Sequence, residues 1–248
     1  MYVGTAAGGV LVDAGLPGRP LARRLEAAGI DPRRIRAVVV THGHRDHLSG
    51  AGIWARRHRV PLYLTEACRN GAPQVLGPQG LHGVEVRVFE PGRSFVVDGL
   101  ELRPVATPHD APDAVGFRIS DGTSALGIAT DLGFASHLVR SALGGVQLLY
   151  LESNHDEDLL RDGPYPWFLK QRIRSRHGHL SNGACAELLR DLLHPGLRAV
   201  VLGHLSETNN EPRLAFAASR AVLEAVGAAE DITLLVARQD RPGRTLTV

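Results

Sequence analysis

Short runs of aliphatic and β-branched residues alternate with turn signals through roughly the first half of the chain: GGVLVDAG, IRAVVVTH, VPLYL, GVEVRVFE, SFVVDGLELRPVAT and AVGFRISDGTSALGIATD. Such runs predict short strands. Two of them contain Asp-Gly, at Asp98-Gly99 and Asp121-Gly122, where glycine supplies a positive φ, so antiparallel hairpins are expected there. Helical spacing interleaves at about 18–28, 46–58 and 65–70. The second half reads as a strand VQLLYLES, helices near about 165–174 and 181–193, a strand LRAVVLGH, a helix near about 211–226 and a last strand DITLLVA. RDGPYPWFLK is expected to be a loop that feeds a helix over a site. This order predicts a mixed α/β (α+β) chain with two mixed β-sheets packed together and helices outside. No repeat, low-complexity tract or Pro/Gly/Ser-rich linker interrupts it, so residues 1–248 are expected to form a single domain.

Composition adds limits rather than identity. A chain of 248 residues with 44% hydrophobic content can bury a sizeable core. The formal charge of +2 neither requires nor excludes a nucleic-acid partner. Lys170 is the only lysine, which leaves arginine, the better bidentate phosphate binder, as nearly the whole cationic set. Cys68 and Cys185 lie far apart without a CxxC partner, which argues against a thiolate zinc site and a disulfide framework; both are expected to be small buried or partly buried hydrophobes. No apolar run approaches the ~20 residues of a membrane span, and the N-terminus lacks a signal-like pattern. A cytoplasmic protein without a membrane partner is expected.

Histidine is the informative excess, with 12 in the chain. The segment VVVTHGHRDHLSG, residues 38–50, places three histidines and an aspartate within six positions. If the strand ends near Thr41, His42 and His44 stand two apart and can project to one side, where they share a metal. Asp46 and His47 fall on the first turn of the next helix and are placed for a second ion. Histidine and carboxylate donors without thiolate suit Zn²⁺ or Mn²⁺, with Fe²⁺ as a third choice. Further ligands are expected at strand ends downstream: His109 in VATPHDA, Asp131 in GIATDLG and His204 in VVLGHLS. A carboxylate has two oxygens, so Asp131 can bridge. The expected sets are His42, His44, His109 and Asp131 for one metal, and Asp46, His47, His204 and Asp131 for the other. Any single histidine is more often a surface or packing residue, and His58, His82, His137, His177 and His194, which lack this context, are read that way.

With these residues in place, the sequence resembles the metallo-β-lactamase fold hydrolases, whose HxHxDH motif stands here as HGHRDH. VLVDAGL resembles the family's first motif at Asp13, which in that fold supports the metal loop, and His109, Asp131 and His204 fall at the third to fifth motifs. The resemblance implies a four-layer αββα sandwich with the metals at one edge. TPHDAPDAVGF, LESNHDEDLL, GPYPWFLKQRI, GHLSNGACAELL and LGHLSETNN narrow it to the YycJ (WalJ) subgroup, which implies a 5′-to-3′ DNA exonuclease. The subgroup also implies a further strand and a Ser/Gly-rich turn ahead of Tyr2; this sequence starts at Met1-Tyr2-Val3, so either the start is truncated or this member lacks that element.

Glu152, Asn154 and His155 follow a strand, and His179 precedes Ser181, a good N-cap for the next helix. By resemblance to the tRNA 3′-processing nucleases of this fold, Glu152 pairs with His179, which protonates the leaving group; a carboxylate-oriented imidazolium can do so near neutral pH. Asn154 and His155 are candidate phosphate contacts, with packing as the equal alternative. Lys170, Arg172, Arg174 and Arg176 crowd LKQRIRSRHGH beside this site, and Arg172 and Arg174 are taken as candidate DNA contacts whose effect falls as salt rises. The expected chemistry is a two-metal phosphodiester hydrolysis: the ions turn a bridging water into hydroxide, Asp46 orients it and His179 releases the leaving group. Two further readings stand beside it. One is a small-molecule hydrolase acting on a phosphodiester, lactone or thioester. The other is a non-catalytic metal-binding protein, which predicts a missing ligand, and none of the seven is missing.

Overall fold

The computed structural model describes residues 1–77 and 79–248. The chain divides into two compact units: Met1–Pro104 with Ala111–Gly122 and Asp240–Thr245, and Val105–Asp110 with Thr123–Gln239 and Leu246–Val248. Its strands form two mixed sheets, of five and seven strands, flanked by helices. The mixed α/β class read from the sequence is therefore correct.

In the first unit β1 (Tyr2–Gly4) pairs antiparallel with β2 (Gly9–Val12). From β2 the order continues through β3 (Ile35–Val39), β4 (Leu62–Leu64) and β5 (Val86–Val88), each parallel to the one before. Right-handed crossovers are the rule for such units, and the connecting helices are α1 (Gly18–Ala27), α2 (Arg45–Leu48), α3 (Ala51–His58) and α4 (Glu66–Leu76). A parallel strand is covered on both faces, which accounts for an unbroken valine run where an alternating pattern would mark a half-exposed strand. Ala37, Val38, Val39 and Val40 are all fully buried. Leu21 and Leu25, one helical turn apart on α1, join Leu11, Ile35, Val38, Leu48, Trp54, Leu62 and Leu64 in this unit's core. Burying side chains of this kind contributes ~1.5–3 kcal/mol each.

The same unit holds β6 (Phe95–Val97), β7 (Leu100–Ala106) as far as Pro104, and β8 (Val115–Ser120). Val97 faces Leu100 across the expected Asp98-Gly99 turn, whose φ values of 50° and 80° are those of a type I′ hairpin. The helix expected over 46–58 is interrupted at Ser49-Gly50, because the backbone of Gly50 lies against the Ala14 and Leu16 carbonyls and its N–H donates to Ala14 O at 2.7 Å. The helix expected over 65–70 runs past its expected end, to Leu76.

In the second unit β9 (Ala125–Ala129), β10 (Leu148–Glu152), β11 (Ala199–Gly203) and β12 (Thr233–Val236) are all parallel, in the order β12-β11-β10-β9. Helices α5 (His137–Leu143), α6 (Glu157–Asp162), α7 (Trp167–Arg174), α8 (Asn182–Leu192) and α9 (Pro212–Ala225) connect or follow them. Two of these, α5 and α6, are too short to give a readable period, although both carry a cap: Ser136 accepts from Val139 N, and Asp156 from Asp158 N and Leu159 N. Ser181 caps α8 as expected, accepting from Ala184 N. Leu149, Leu151, Leu188, Leu189, Leu202 and Leu223 centre this unit's core. No helix among the described residues is long and apolar enough to cross a membrane.

Within each unit, parallel strands deliver their C-terminal ends to one edge, where ligand sites of open α/β sheets lie. Asp13 and His42 follow β2 and β3; Asp131, Ser153 and His204 follow β9, β10 and β11. The turn after β2 is fitted closely to the HGHRDH segment, since a Cβ at Gly15 would overlap the carbonyl of Asp46. Replacing Gly15 with alanine is expected to cost about 1–3 kcal/mol by overpacking, read as a lowered denaturation midpoint in urea; an unchanged midpoint would show that the Asp46 turn yields without cost.

Candidate functional site

In the first unit Asp13 sits at a left-handed φ of 58°, a backbone conformation that non-glycine residues adopt uncommonly. That bend turns its carboxylate onto the end of β3. Asp13 Oδ1 accepts from Thr41 N at 2.8 Å, Oδ2 accepts from the Thr41 hydroxyl at 2.9 Å, and Oδ2 lies 2.8 Å from His47 Nδ1. An imidazole engaged at Nδ1 offers Nε2 to a metal, and a carboxylate partner raises its basicity. His47 Nε2 lies 3.4 Å from Asp46 Oδ2. His42 Nε2 and His44 Nδ1 are 3.0 Å apart, close to the separation of two donors on one tetrahedral ion with bonds of ~2.0–2.1 Å. His42 and His47 are buried, whereas Asp46 is exposed. These donors fit metal ions: two nitrogens at ligand spacing, then a nitrogen and a carboxylate oxygen, with Asp13 holding the loop as the resemblance implies.

In the second unit a fully buried carboxylate, Glu152, occupies the end of β10. Its Oε1 accepts from His179 Nδ1 at 2.8 Å and His204 Nδ1 at 2.7 Å, while Oε2 accepts from Leu180 N at 3.0 Å and Leu132 N at 3.2 Å. Burial alone would raise its pKa; the hydrogen bonds and charges of His179 and His204 outweigh it and hold the carboxyl well below the usual range. In the opposite sense, burial alone would lower the pKa of His179, and its bond to Glu152 raises it above the ordinary value. Asp131 and His204 adopt left-handed φ values of 60° and 55°, strained conformations of the kind found at functional sites. Asp131 Oδ1 is 3.6 Å from His109 Nε2 and 3.6 Å from His204 Nε2. His109 Nδ1 engages Gly178 O at 3.2 Å, so its Nε2 also faces Asp131. One oxygen of each of Asp131 and Glu152 and one nitrogen of each of His179 and His204 lie within 4.8 Å of one another. Asp131 Oδ1 thus lies between two imidazole nitrogens.

The structure therefore gathers His42, His44, Asp46 and His47 in one unit, and His109, Asp131, Glu152, His179 and His204 in the other. The remaining candidates sit differently. Asn154 donates to His204 O at 2.9 Å and fixes the β10 and β11 ends together. His155 is buried beside Ser181, and that burial lowers its pKa to about 4, so it is neutral near pH 7. Arg172 Nε donates to Asp110 Oδ2 at 2.5 Å, and Arg174 is exposed at the end of α7. Burial pushes the Cys68 and Cys185 thiols up to about 12, which agrees with their reading as packing residues.

The family model described as a beta-lactamase superfamily domain matches residues 9–205. The chain belongs to this superfamily. Among curated proteins of the superfamily, Exodeoxyribonuclease YycJ of Bacillus anthracis is 31% identical over 227 residues, covering 92% of this chain and 85% of the relative. Exodeoxyribonuclease WalJ of Streptococcus pneumoniae serotype 2 is 31% identical over 214 residues, covering 86% and 80%. Among solved structures, Zn²⁺-bound PqqB of Methylobacterium extorquens superposes with a TM-score of 0.71 at 20% identity, covering 100% of this chain and 86% of that one. The fold is that of the metallo-β-lactamase proteins, and within this superfamily the chain is a hydrolase whose His and Asp clusters suit metal ions.

Two features escape a reading of the residues alone. Glu152 grips His204 as well as His179, although 52 positions separate Glu152 from His204. Beneath it lies a buried amide network: Ser153 Oγ donates to Asn182 Oδ1 at 2.6 Å, and Asn210 Nδ2 donates to Ser153 O at 2.8 Å and to Asn182 Oδ1 at 2.9 Å. The signal present was the Asn pair of SETNN and the Asn after Ser181, polar residues without a hydrophobic-period role. Replacing Glu152 with glutamine is expected to destabilise the metal-free protein by about 3–5 kcal/mol, because one member of a buried ionic set loses its charge, and to weaken Zn²⁺ binding ~10–100-fold. Urea denaturation and competition with a chromogenic chelator read the two effects; wild-type values in both would remove Glu152 from the site.

Proposed function

We propose that this protein is a two-metal phosphodiesterase that acts on DNA ends, a 5′-to-3′ exodeoxyribonuclease. The observation that carries the reading is the 31% identity, over most of both chains, to proteins named exodeoxyribonuclease. His and Asp groupings suited to metal ions support it; in this reading His42, His44, His109 and Asp131 would hold one ion, and Asp46, His47, His204 and Asp131 the other, with Zn²⁺ or Mn²⁺ preferred and Fe²⁺ third. Residues 1–248 act as a single domain in the cytoplasm.

When bound, two such ions lower the pKa of water and neutralise charge on the phosphoryl oxygens. The chain's own residues do the rest. Asp46, exposed on the first turn of α2, orients the attacking water through its carboxylate. Glu152 accepts from His179 Nδ1, which leaves Nε2 as the nitrogen that hands a proton to the departing sugar oxygen. Asn154, His155, Arg172 and Arg174 are assigned to the substrate's phosphates, Asn154 and His155 largely by holding the loop after β10. Arg174 meets the backbone as a screened surface charge, so its contribution falls with salt.

Proton donation matters only for a poor leaving group. Replacing His179 with alanine is expected to slow hydrolysis of 5′-labelled double-stranded DNA by ~10²–10⁴-fold, while bis(4-nitrophenyl) phosphate, whose phenolate leaves unprotonated, loses less than about tenfold. Controls His44→Ala and Asp131→Ala lose both activities. Equal losses on both substrates for His179→Ala would contradict the donor role. Rapid turnover of the small diester by the wild type with no DNA cleavage would replace the nuclease by a small-molecule hydrolase.

A further inference from the structure

From Gly163 to His179 the chain carries Lys170, Arg172, Arg174 and Arg176 and no Asp or Glu. Within this run α7 buries none of its eight residues, whereas the next helix, α8, buries six. Leu169 and Ile173, four apart, are the partly buried side of α7. The opposite side bears Trp167 and Phe168, which are 67% and 72% exposed. No other large apolar side chain among the described residues is as exposed as these two. Single exposed apolar side chains are ordinary, whereas adjoining large ones mark interaction sites.

The helix is held firmly in the second unit. Lys170 Nζ donates to Arg161 O at 2.6 Å, Arg172 Nε donates to Asp110 Oδ2 at 2.5 Å, and the Arg176 guanidinium covers the Phe134 ring at 4.6 Å. At the far end of α7, His179 N donates to Ile173 O at 2.9 Å, and a Cβ at Gly178 would overlap the Arg172 and Ile173 carbonyls. The chain therefore folds back closely on the last turn of α7 and leads straight into His179. At 1.5 Å per residue, Trp167 stands ~9 Å along the helix from Ile173. Arg174 is exposed and forms no ion pair among the described residues. Seven positions beyond Trp167, it shares that side of the helix, and Arg172 stands one turn beyond Phe168.

A polyanion with flat apolar faces fits this surface, because aromatic rings stack on bases while arginines meet the phosphates. In a duplex the base faces are stacked on one another and hidden, so the rings select unpaired nucleotides. A second copy of the chain fits less well: aromatic rings bury ~150–250 Å² each, and two of them fall short of the ~800 Å² per partner of a standard interface. We propose that Trp167 and Phe168 are a stacking platform for unpaired bases of the DNA strand being cut, with Arg174 on its phosphates. The inference rests on the nuclease reading and deepens it: the substrate is a single-stranded or frayed end, and a blunt duplex reaches the site only as its end opens.

The chain has two tryptophans, and Trp54 is fully buried, so the exposed part of the emission reports Trp167. In chelator, where binding is read without catalysis, oligothymidylate is expected to quench this emission, and the same sequence paired in a duplex to leave it. Trp167→Leu and Phe168→Leu are each expected to weaken oligothymidylate binding ~5–150-fold, the effect of losing a base–aromatic stack, read by anisotropy of a labelled strand. Trp167→Phe, which keeps a ring, is expected to retain most of the affinity. Both side chains are exposed, and unchanged thermal melts establish that the variants fold. With Mn²⁺, an unpaired end is expected to be cut at least about tenfold faster than a blunt one of the same sequence, and the double variant Trp167→Leu/Phe168→Leu to equalise them. DNA cleavage without preference for unpaired ends, with variants that bind as the wild type does, overturns the platform and leaves the nuclease reading standing. Oligothymidylate binding that depends on both rings, with no cleavage of any DNA end, supports the platform and overturns the nuclease reading alone. A blue shift on phosphatidylglycerol vesicles, or a dimer that dissociates in the double variant, with no response to oligothymidylate, overturns the platform and gives the surface to a membrane or to a second copy.

Discussion

A carboxylate that engages an imidazole at Nδ1 is the interaction on which the chemistry of both units depends. Asp13 does this for His47, and Glu152 does it for His204 and His179. A buried charge is costly unless it is paired and hydrogen-bonded. Glu152 meets that condition with two imidazoles and two backbone N–H groups. The same bonds fix the rings and present Nε2 outward, so the requirement that stabilises the carboxylate also prepares the donors for a metal.

The backbone serves the same end. Asp13, Asp131 and His204 follow parallel strands and adopt left-handed φ values of 58°, 60° and 55°. Conformations of this kind cost ~1–3 kcal/mol each and persist where surrounding structure over-determines them. Here the surroundings are identifiable: the side chain of Asp13 is tied to Thr41 and His47, and His204 is tied by its ring to Glu152 and by its carbonyl to Asn154. Strain at the strand ends is thus offset by hydrogen bonds that also position the donors.

Much of this was legible in the sequence. An unbroken valine run ending in THGHRDH marks a buried parallel strand that delivers candidate ligands, and Asp131 and His204 each follow an apolar run in the same way, whereas His109 follows β7, which alternates and pairs antiparallel with β6. The mixed α/β class followed from the alternation of such runs with helical spacing, and Asp98-Gly99 made the hairpin it promises. What was not legible depends on contacts between distant positions. The grip of Glu152 on His204, the Ser153–Asn182–Asn210 network and the interruption of the helix at Gly50 by the Ala14 and Leu16 carbonyls have no local period. The short helices α5 and α6 span too few turns to leave a pattern.

We propose that carboxylate-oriented imidazoles and a shared Asp131 hold two ions without sulfur. Zinc-reconstituted protein examined by elemental analysis together with X-ray absorption at the zinc edge tests it most directly. The account predicts two zinc ions per chain, a shell of nitrogen and oxygen only, and a metal–metal distance of ~3.5–4 Å. One ion per chain, or a sulfur shell implicating Cys68 or Cys185, would contradict it.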